Sequence, residues 1–283
     1  MKPQAKRGLL LVSPVLAYGV VLLAAPMSAV VLFSFWTQDF LTLDTTFRLN
    51  NYTEILSDPI YGALLGRSIK VAALATLATV GLAFPIAYYV SFYVPQRRKA
   101  LWIFLITIPF WTSYLIRVFL WKVILGFNGV INASLTGIGL IDAPLTFILY
   151  NTNAVVITLA HAFAPFAILP IYVALERIDR SLLEAARDLG ESAWGTFMRV
   201  TLPLAKPGLI AAILIVFIPT VGDYVTPRLV GGPEGLMIAN MIHTQFFRLD
   251  NAPLGAALAV TSMLSVGALA LILIAVTRRW GRS

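Results

Sequence analysis

The chain has 283 residues, 59% of them hydrophobic and 12% charged, with no cysteine and a formal net charge of +8. With a mean hydropathy of +0.85, this excludes an ordinary soluble domain and places the chain in a bilayer. The missing cysteines exclude disulfides, thiolate metal sites and cysteine nucleophiles, and the excess of Lys and Arg reads as a membrane-orientation signal, not a nucleic-acid interface.

Six apolar segments approach or exceed the roughly 20 residues that a helix needs to cross hydrocarbon. They lie at about 9–36, 68–94, 100–125, 153–175, 208–230 and 254–277. The first follows Lys2, Lys6 and Arg7, but its apolar run is too long for a signal peptide. Fourteen of the 21 basic residues fall in four places: the N-terminal tail, Arg97–Lys99, the polar loop 176–207 (Arg177, Arg180, Arg187, Arg199 and Lys206), and Arg278, Arg279 and Arg282. In a six-span chain these four places share one side, which the positive-inside rule assigns to the cytoplasm. The expectation is an all-α integral membrane protein with six transmembrane helices, a single domain over 1–283 and both termini cytoplasmic.

The opposite side receives connections at 37–67, 126–152 and 231–253. The first carries Asp39, Asp44, Glu54 and Asp58, and its stretch NYTEILS, 51–57, predicts a short surface helix. These loops suit an extracytoplasmic partner. Proline falls inside five spans, at Pro14, Pro26, Pro85, Pro109, Pro165, Pro170, Pro219 and Pro227. Each removes a backbone donor and predicts a kink or opening, either as ordinary irregularity or as part of a path that changes shape.

The loop at 176–207 holds ten charges in an otherwise oily sequence. Ser181 and Glu184 have capping-box spacing, which predicts a helix start at Ser181, and Leu182, Leu183, Ala186 and Leu189 give that helix an apolar stripe ending at Gly190. Ser192 is placed to cap a second short helix that Phe197 and Val200 anchor and Pro203 and Pro207 end. The product is a helix-turn-helix beside the membrane: a docking surface, since the small Ala185 and Ala186 let another protein approach the backbone, or simply a solvated connector.

No catalytic constellation is present. His161 and His243 are too far apart in role to pair as haem ligands, and His161 reads as a hydrogen-bonded core residue. No metal site is expected. The phosphate-binding GxxxxGK[ST] loop is absent, so any ATP that drives this protein is held by another chain. Ionisable residues inside spans point to function. Lys70 and Lys122 lie near span ends and can snorkel. Arg117, in PFWTSYLIRVFLW, and Asp223, in IPTVGDYVTPRLVGG, do not. Aromatics beside a carboxylate suit a passing ammonium group, which makes Asp223, Tyr224, Trp111, Tyr114 and Arg117 candidate pathway residues; the alternative is that Arg117 and Asp223 only neutralise each other.

Glu184, Ala185, Ala186, Gly190, Val200, Leu202 and Pro203, at their fixed spacing between two spans, resemble the EAA loop of bacterial ABC importer permeases. The segments around Arg117 and Asp223 are similar to those of the spermidine and putrescine branch of that family. The resemblance implies the type I importer permease fold with cytoplasmic coupling helices. It also implies ATPase coupling through Glu184, Ala185, Ala186, Gly190, Leu202 and Pro203. The implied partners are a second six-span permease, two copies of a cytoplasmic ABC ATPase that carry ATP and Mg, and an extracytoplasmic solute-binding protein. Arg228 stands where that branch often has an acidic residue, so a polyamine is expected with opines, 4-aminobutyrate or another small nitrogenous solute left open. An ion-coupled secondary transporter would need a relay of buried acids or repeated halves, and an intramembrane enzyme a catalytic pair; neither pattern is evident.

Overall fold

The computed structural model describes residues 3–40 and 42–279. Lys2 and Arg282, two of the orientation charges, lie outside the described residues, as do the side chains of Lys6, Arg7, Arg278 and Arg279. In chain order the elements are α1 (Pro3–Phe33), the hairpin β1 (Thr37–Asp39) and β2 (Thr42–Asp44), α2 (Asn50–Ser57), α3 (Pro59–Phe92), α4 (Gln96–Thr107), α5 (Tyr114–Ile124), α6 (Val130–Gly137), α7 (Thr152–Glu176), α8 (Arg180–Asp188), α9 (Ala193–Thr196), α10 (Leu202–Val221), α11 (Val225–Val230), α12 (Ile238–Phe247) and α13 (Ala252–Arg279). Among the described residues, five stretches are long and apolar enough to cross a membrane: Leu11–Phe33, Pro59–Phe92, Thr152–Glu176, Ala193–Val221 and Ala252–Thr277. A sixth crossing requires that α4 and α5, bent by 87° at their junction, be taken together.

The chain divides into two compact units, Met1–Gly62 with Met241–Leu264, and Ala63–Asn240 with Ser265–Ser283. In the first, the expected surface helix is α2, which is tied to the end of α1 by polar contacts. The Asn51 amide donates to the carbonyls of Ser34 (3.0 Å) and Trp36 (2.7 Å), and the Tyr52 hydroxyl lies 2.7 Å from Ser34 Oγ. The antiparallel hairpin pairs Thr37 with Asp44, and its tip exposes Phe40 almost fully.

The second unit is built on α3, α7 and α10. Ala83, Ala87, Ala167, Ile168, Ile171, Leu175, Ala212 and Val216 form its larger core. Lipid gives helices no hydrophobic reason to associate, so small residues that allow close backbone approach carry the packing. Gly208 on α10 shows how close: a Cβ there would meet both Ala174 Cβ and the Pro170 carbonyl at 2.5 Å. Pro165 and Pro170 do not interrupt α7, nor Pro85 α3.

Two expected spans are broken instead. The segment 100–125 passes from α4 through a 3-10 turn at Ile108–Trp111 into extended backbone at Thr112 and Ser113 before α5 starts. Pro109 supplies no N–H, and two threonine hydroxyls take up nearby carbonyls, Thr107 that of Phe104 and Thr112 that of Pro109, both at 2.9 Å. The segment 208–230 stops at Val221 and resumes as α11, so Asp223 lies in a break and not within a kinked helix. Conversely, Pro203 and Pro207 do not end the helix that follows Ser192. Residues Phe197–Thr201 form a π-turn that runs on into α10, and its wider winding redirects the carbonyls that a proline ring would otherwise strike.

Candidate functional site

The polar loop folds into two short helices. The first starts one residue before the expected Ser181, because Asp179 is the N-cap: its carboxylate accepts the Ser181 amide at 3.0 Å. That bond, with help from the Ser181 side chain, holds the Asp179 carboxyl below the usual carboxylate range. Ser181 and Glu184 therefore do not form the capping box that their spacing predicts. The Asp179 carboxylate, two residues ahead of Ser181, makes the stronger cap for the free amides. Gly190 ends α8 with φ +85°, as expected of a left-handed terminus, and no atom lies within 4 Å of where its Cβ would stand. Ser192 caps α9 by accepting the Gly195 amide at 3.0 Å.

Of the apolar stripe on α8, Leu183 and Ala186 are buried, while Leu182, Leu189 and the nearby Trp194 are exposed, Leu189 by 87%. Glu184, Ala185 and Pro203 are exposed too. Of the motif residues, Glu184, Ala185, Gly190 and Pro203 are thus exposed beside exposed apolar side chains, Ala186 is buried, and Leu202 is half-buried where α10 begins.

Beside this loop lies a polar hub that composition and spacing did not single out. Glu176, the last residue of α7, accepts on Oε1 from Lys99 Nζ at 2.6 Å and Ser91 Oγ at 2.7 Å, with Arg180 Nη2 at 3.5 Å. Arg180 donates to the Ser91 carbonyl at 3.0 Å and stacks on Phe92, its guanidinium carbon 3.9 Å from the ring centre. Lys99 is 9% exposed. Its reading as an orientation charge hid an ion pair between a buried lysine and a half-buried acid 77 residues apart in sequence; the available signal was a loop acid at the edge of an apolar helix. An open cavity of about 550 Å³ adjoins the hub, lined among others by Tyr88, Glu184, Arg187 and Phe197.

The broken spans bring Tyr114 and Asp223 together. The Tyr114 hydroxyl donates to Asp223 Oδ2 at 2.6 Å and stands 2.7 Å from Thr226 Oγ1, while Asp223 Oδ1 accepts the amides of Val225 (2.9 Å) and Thr226 (3.4 Å). Asn240 fixes the other side of the break by donating to the Tyr224 carbonyl at 2.8 Å. Asp223 is 8% exposed. The proposed Arg117–Asp223 pair is not formed. Arg117 donates instead to the Ala162 carbonyl at 3.2 Å and lies over the Tyr114 ring, and the donors on Asp223 are a hydroxyl and two amides. Trp111 is 81% exposed on the 3-10 turn and Tyr224 is exposed as well; neither is a hydrogen-bond partner of the Asp223 carboxylate. His161 is hydrogen-bonded as expected, accepting from Trp121 Nε1 at 3.0 Å, but it is exposed and not in the core. Arg228 is exposed on α11.

Residues 62–280 match the family described as "Binding-protein-dependent transport system inner membrane component". The chain belongs to this family. It is 39% identical over 240 residues, 84% of its length and 86% of the relative's, to the spermidine/putrescine transport system permease protein PotB of Escherichia coli strain K12. It is 32% identical over 270 residues to the inner membrane ABC transporter permease protein YdcU of the same strain, across 91% of this chain and 85% of that one. Among solved structures, a chain of a bacterial alginate ABC transporter, crystallised with an alginate pentasaccharide-bound periplasmic protein, superposes with a TM-score of 0.75 at 16% identity, covering 99% of this permease and 98% of that chain. The fold is therefore that of an ABC transporter permease, and the permease is a multi-pass inner-membrane protein.

Proposed function

We propose that this permease is the translocation subunit of an importer for a polyamine of the spermidine or putrescine type. The observation that carries the reading is the 39% identity to a spermidine/putrescine permease over 84% of the chain. The proposal takes residues 1–283 as one transmembrane domain of six spans, with α4 and α5 counted as one and both termini cytoplasmic. It pairs the chain with a second, different permease, two copies of an ABC ATPase that holds ATP and Mg, and an extracytoplasmic solute-binding protein. The chain itself binds no cofactor. Glu184, Ala185, Ala186, Gly190, Leu202 and Pro203 couple it to the ATPase, a role that fits the exposed motif surface and the bare apolar side chains beside it. Asp223, Tyr114, Tyr224, Trp111 and Arg117 belong to the solute path. In that path the breaks give carbonyls and one carboxylate to a passing ammonium group, held loosely enough to leave again. The hairpin and α2, with Asp39, Asp44 and Asp58, form part of the dock for the binding protein.

A second reading rests on Arg228 and Arg117. Two guanidinium groups suit a solute that carries a carboxylate as well as an amine, such as 4-aminobutyrate or an opine. Uptake by the reconstituted four-component transporter separates the two. ATP-dependent import of labelled spermidine or putrescine, uncompeted by 4-aminobutyrate, is expected; import of the amino acids with none of the polyamines overturns the polyamine assignment.

A further inference from the structure

We propose that Arg180 is the positioning residue that makes the coupling helix α8 move as one piece with the adjoining ends of α3, α4 and α7. The inference rests on the reading above, in which α8 docks on the ATPase.

Only Arg177–Asp179 separate α7 from α8, and so short a connection is a ready hinge. Its middle residue, Ile178, is buried in the core with Leu175, which fixes the α7 side of the hinge and leaves α8 to be fixed by other means. Arg180 is the first residue of α8, and a single guanidinium nitrogen, Nη2, reaches the Ser91 carbonyl at 3.0 Å, Ser91 Oγ at 3.3 Å and Glu176 at 3.5 Å. The face of the same group lies 3.9 Å from the Phe92 ring centre. Through Glu176 the tie extends to Lys99 near the start of α4. A planar fork that hydrogen-bonds at its edge and stacks on its face is a property of Arg that Lys does not share.

Two further features make this a positioning device and not general glue. Glu176 is already neutralised by Lys99 at 2.6 Å, so removing Arg180 leaves no buried charge without a partner. And the 550 Å³ cavity lies against this tie, lined by Leu183, Glu184 and Arg187 of α8 and by Thr196, Phe197 and Thr201 beyond it. On that side α8 has space to tilt once the tie is released.

The test uses the assembled transporter in proteoliposomes and reads solute imported per ATP hydrolysed. Arg180→Ala is expected to lower that ratio about tenfold while the ATPase still co-purifies and its basal hydrolysis is kept. Arg180→Lys is expected to recover part of it, since one hydrogen bond returns without the stack. Phe92→Leu, which alters no charged residue, is expected to lower it by about threefold, the loss of one cation–π contact. An unchanged ratio in Arg180→Ala overturns the inference, and so does a parallel fall of uptake and hydrolysis that tracks the amount of folded complex. A wild-type complex that imports nothing with ATP overturns the transport reading, and this inference with it, whereas a coupled wild type matched by Arg180→Ala overturns this inference alone.

Discussion

Glu176 and Asp223 occupy comparable places. Each stands at the C-terminal end of an apolar helix, α7 or α10, where the helix dipole disfavours a negative charge. They are rescued by different means. Glu176 is met by two cations and a hydroxyl drawn from α3, α4 and α8, so its negative charge is cancelled with one positive charge in excess. Asp223 is met by uncharged donors, a tyrosine hydroxyl and the first amides of α11, so its negative charge is held in place but not cancelled. The first arrangement locks elements together. The second keeps a charge available inside a broken span, which is the more useful property for a path that a cation is to follow.

The largest effect is expected at the neutralised carboxylate. Glu176→Ala leaves Lys99, 9% exposed, as a buried cation without its acid, and breaking such a pair from one side costs about 3 kcal/mol. The loss should appear as reduced thermal stability of the purified permease in detergent. Replacing both partners, with Lys99→Met and Glu176→Leu, is expected to restore most of that stability, because the penalty belongs to the orphaned charge. A double variant as unstable as Glu176→Ala would show that the pair contributes through something other than charge.

What could be read beforehand follows the range of the interactions. The local structure of the polar loop 176–207 was legible because its signals are local: charge against an apolar background, Gly190 at a turn that needs φ +85°, Ser192 before a free amide. Even there, Asp179 displaced Ser181 as the cap, since the carboxylate two residues earlier accepts the amide of Ser181 itself. Five long apolar helices were legible too, whereas the sixth expected run is a pair of helices bent by 87°. The breaks were not, because prolines alone do not decide them: Pro165 and Pro170 sit in an unbroken α7 packed on α10, whereas Pro109 falls where threonine hydroxyls can take up the carbonyls. The Lys99–Glu176 and Tyr114–Asp223 contacts join residues 77 and 109 positions apart, and no spacing rule reaches that far.

A smaller effect on folding, but a direct one on transport, is expected at the uncancelled carboxylate. Asn at position 223 keeps one carbonyl oxygen for the α11 amides and an amide group for the Tyr114 oxygen, so Asp223→Asn removes charge with little change of shape. Uptake of a cationic solute should fall several-fold with assembly intact. Tyr114→Phe does the opposite: it keeps the charge and removes the hydroxyl's hydrogen bonds to Asp223 and Thr226, costing about 1–3 kcal/mol of local stability. Because Arg117 donates to Ala162 and not to Asp223, adding Arg117→Gln to Asp223→Asn should not rescue uptake. Rescue would place the two residues in one charge pair and withdraw Asp223 from the path.

The smallest effect concerns a third carboxylate, in water, which sharpens the contrast by removing burial altogether. Asp179 caps α8 from a fully exposed position, and the Ser181 amide holds its carboxyl below the ordinary range. The sign follows from that direction. A carboxyl whose folded pKa is depressed contributes its stabilisation in full above the unfolded value of about 3.9, and the contribution fades as pH falls towards and through the folded value. Near neutral pH the cap is therefore fully present, and acid alone should loosen the start of α8. Hydrogen exchange at the Ser181 amide, corrected for its intrinsic pH dependence, is expected to show protection that declines only on the acid side. Asp179→Asn supplies the control, since asparagine caps a helix about as well but does not titrate: its protection should be present at neutral pH and flat through the acid range. A decline of equal size in that variant would assign the acid loosening to another group, with Glu176, the hub at the other end of the hinge, as the first to examine.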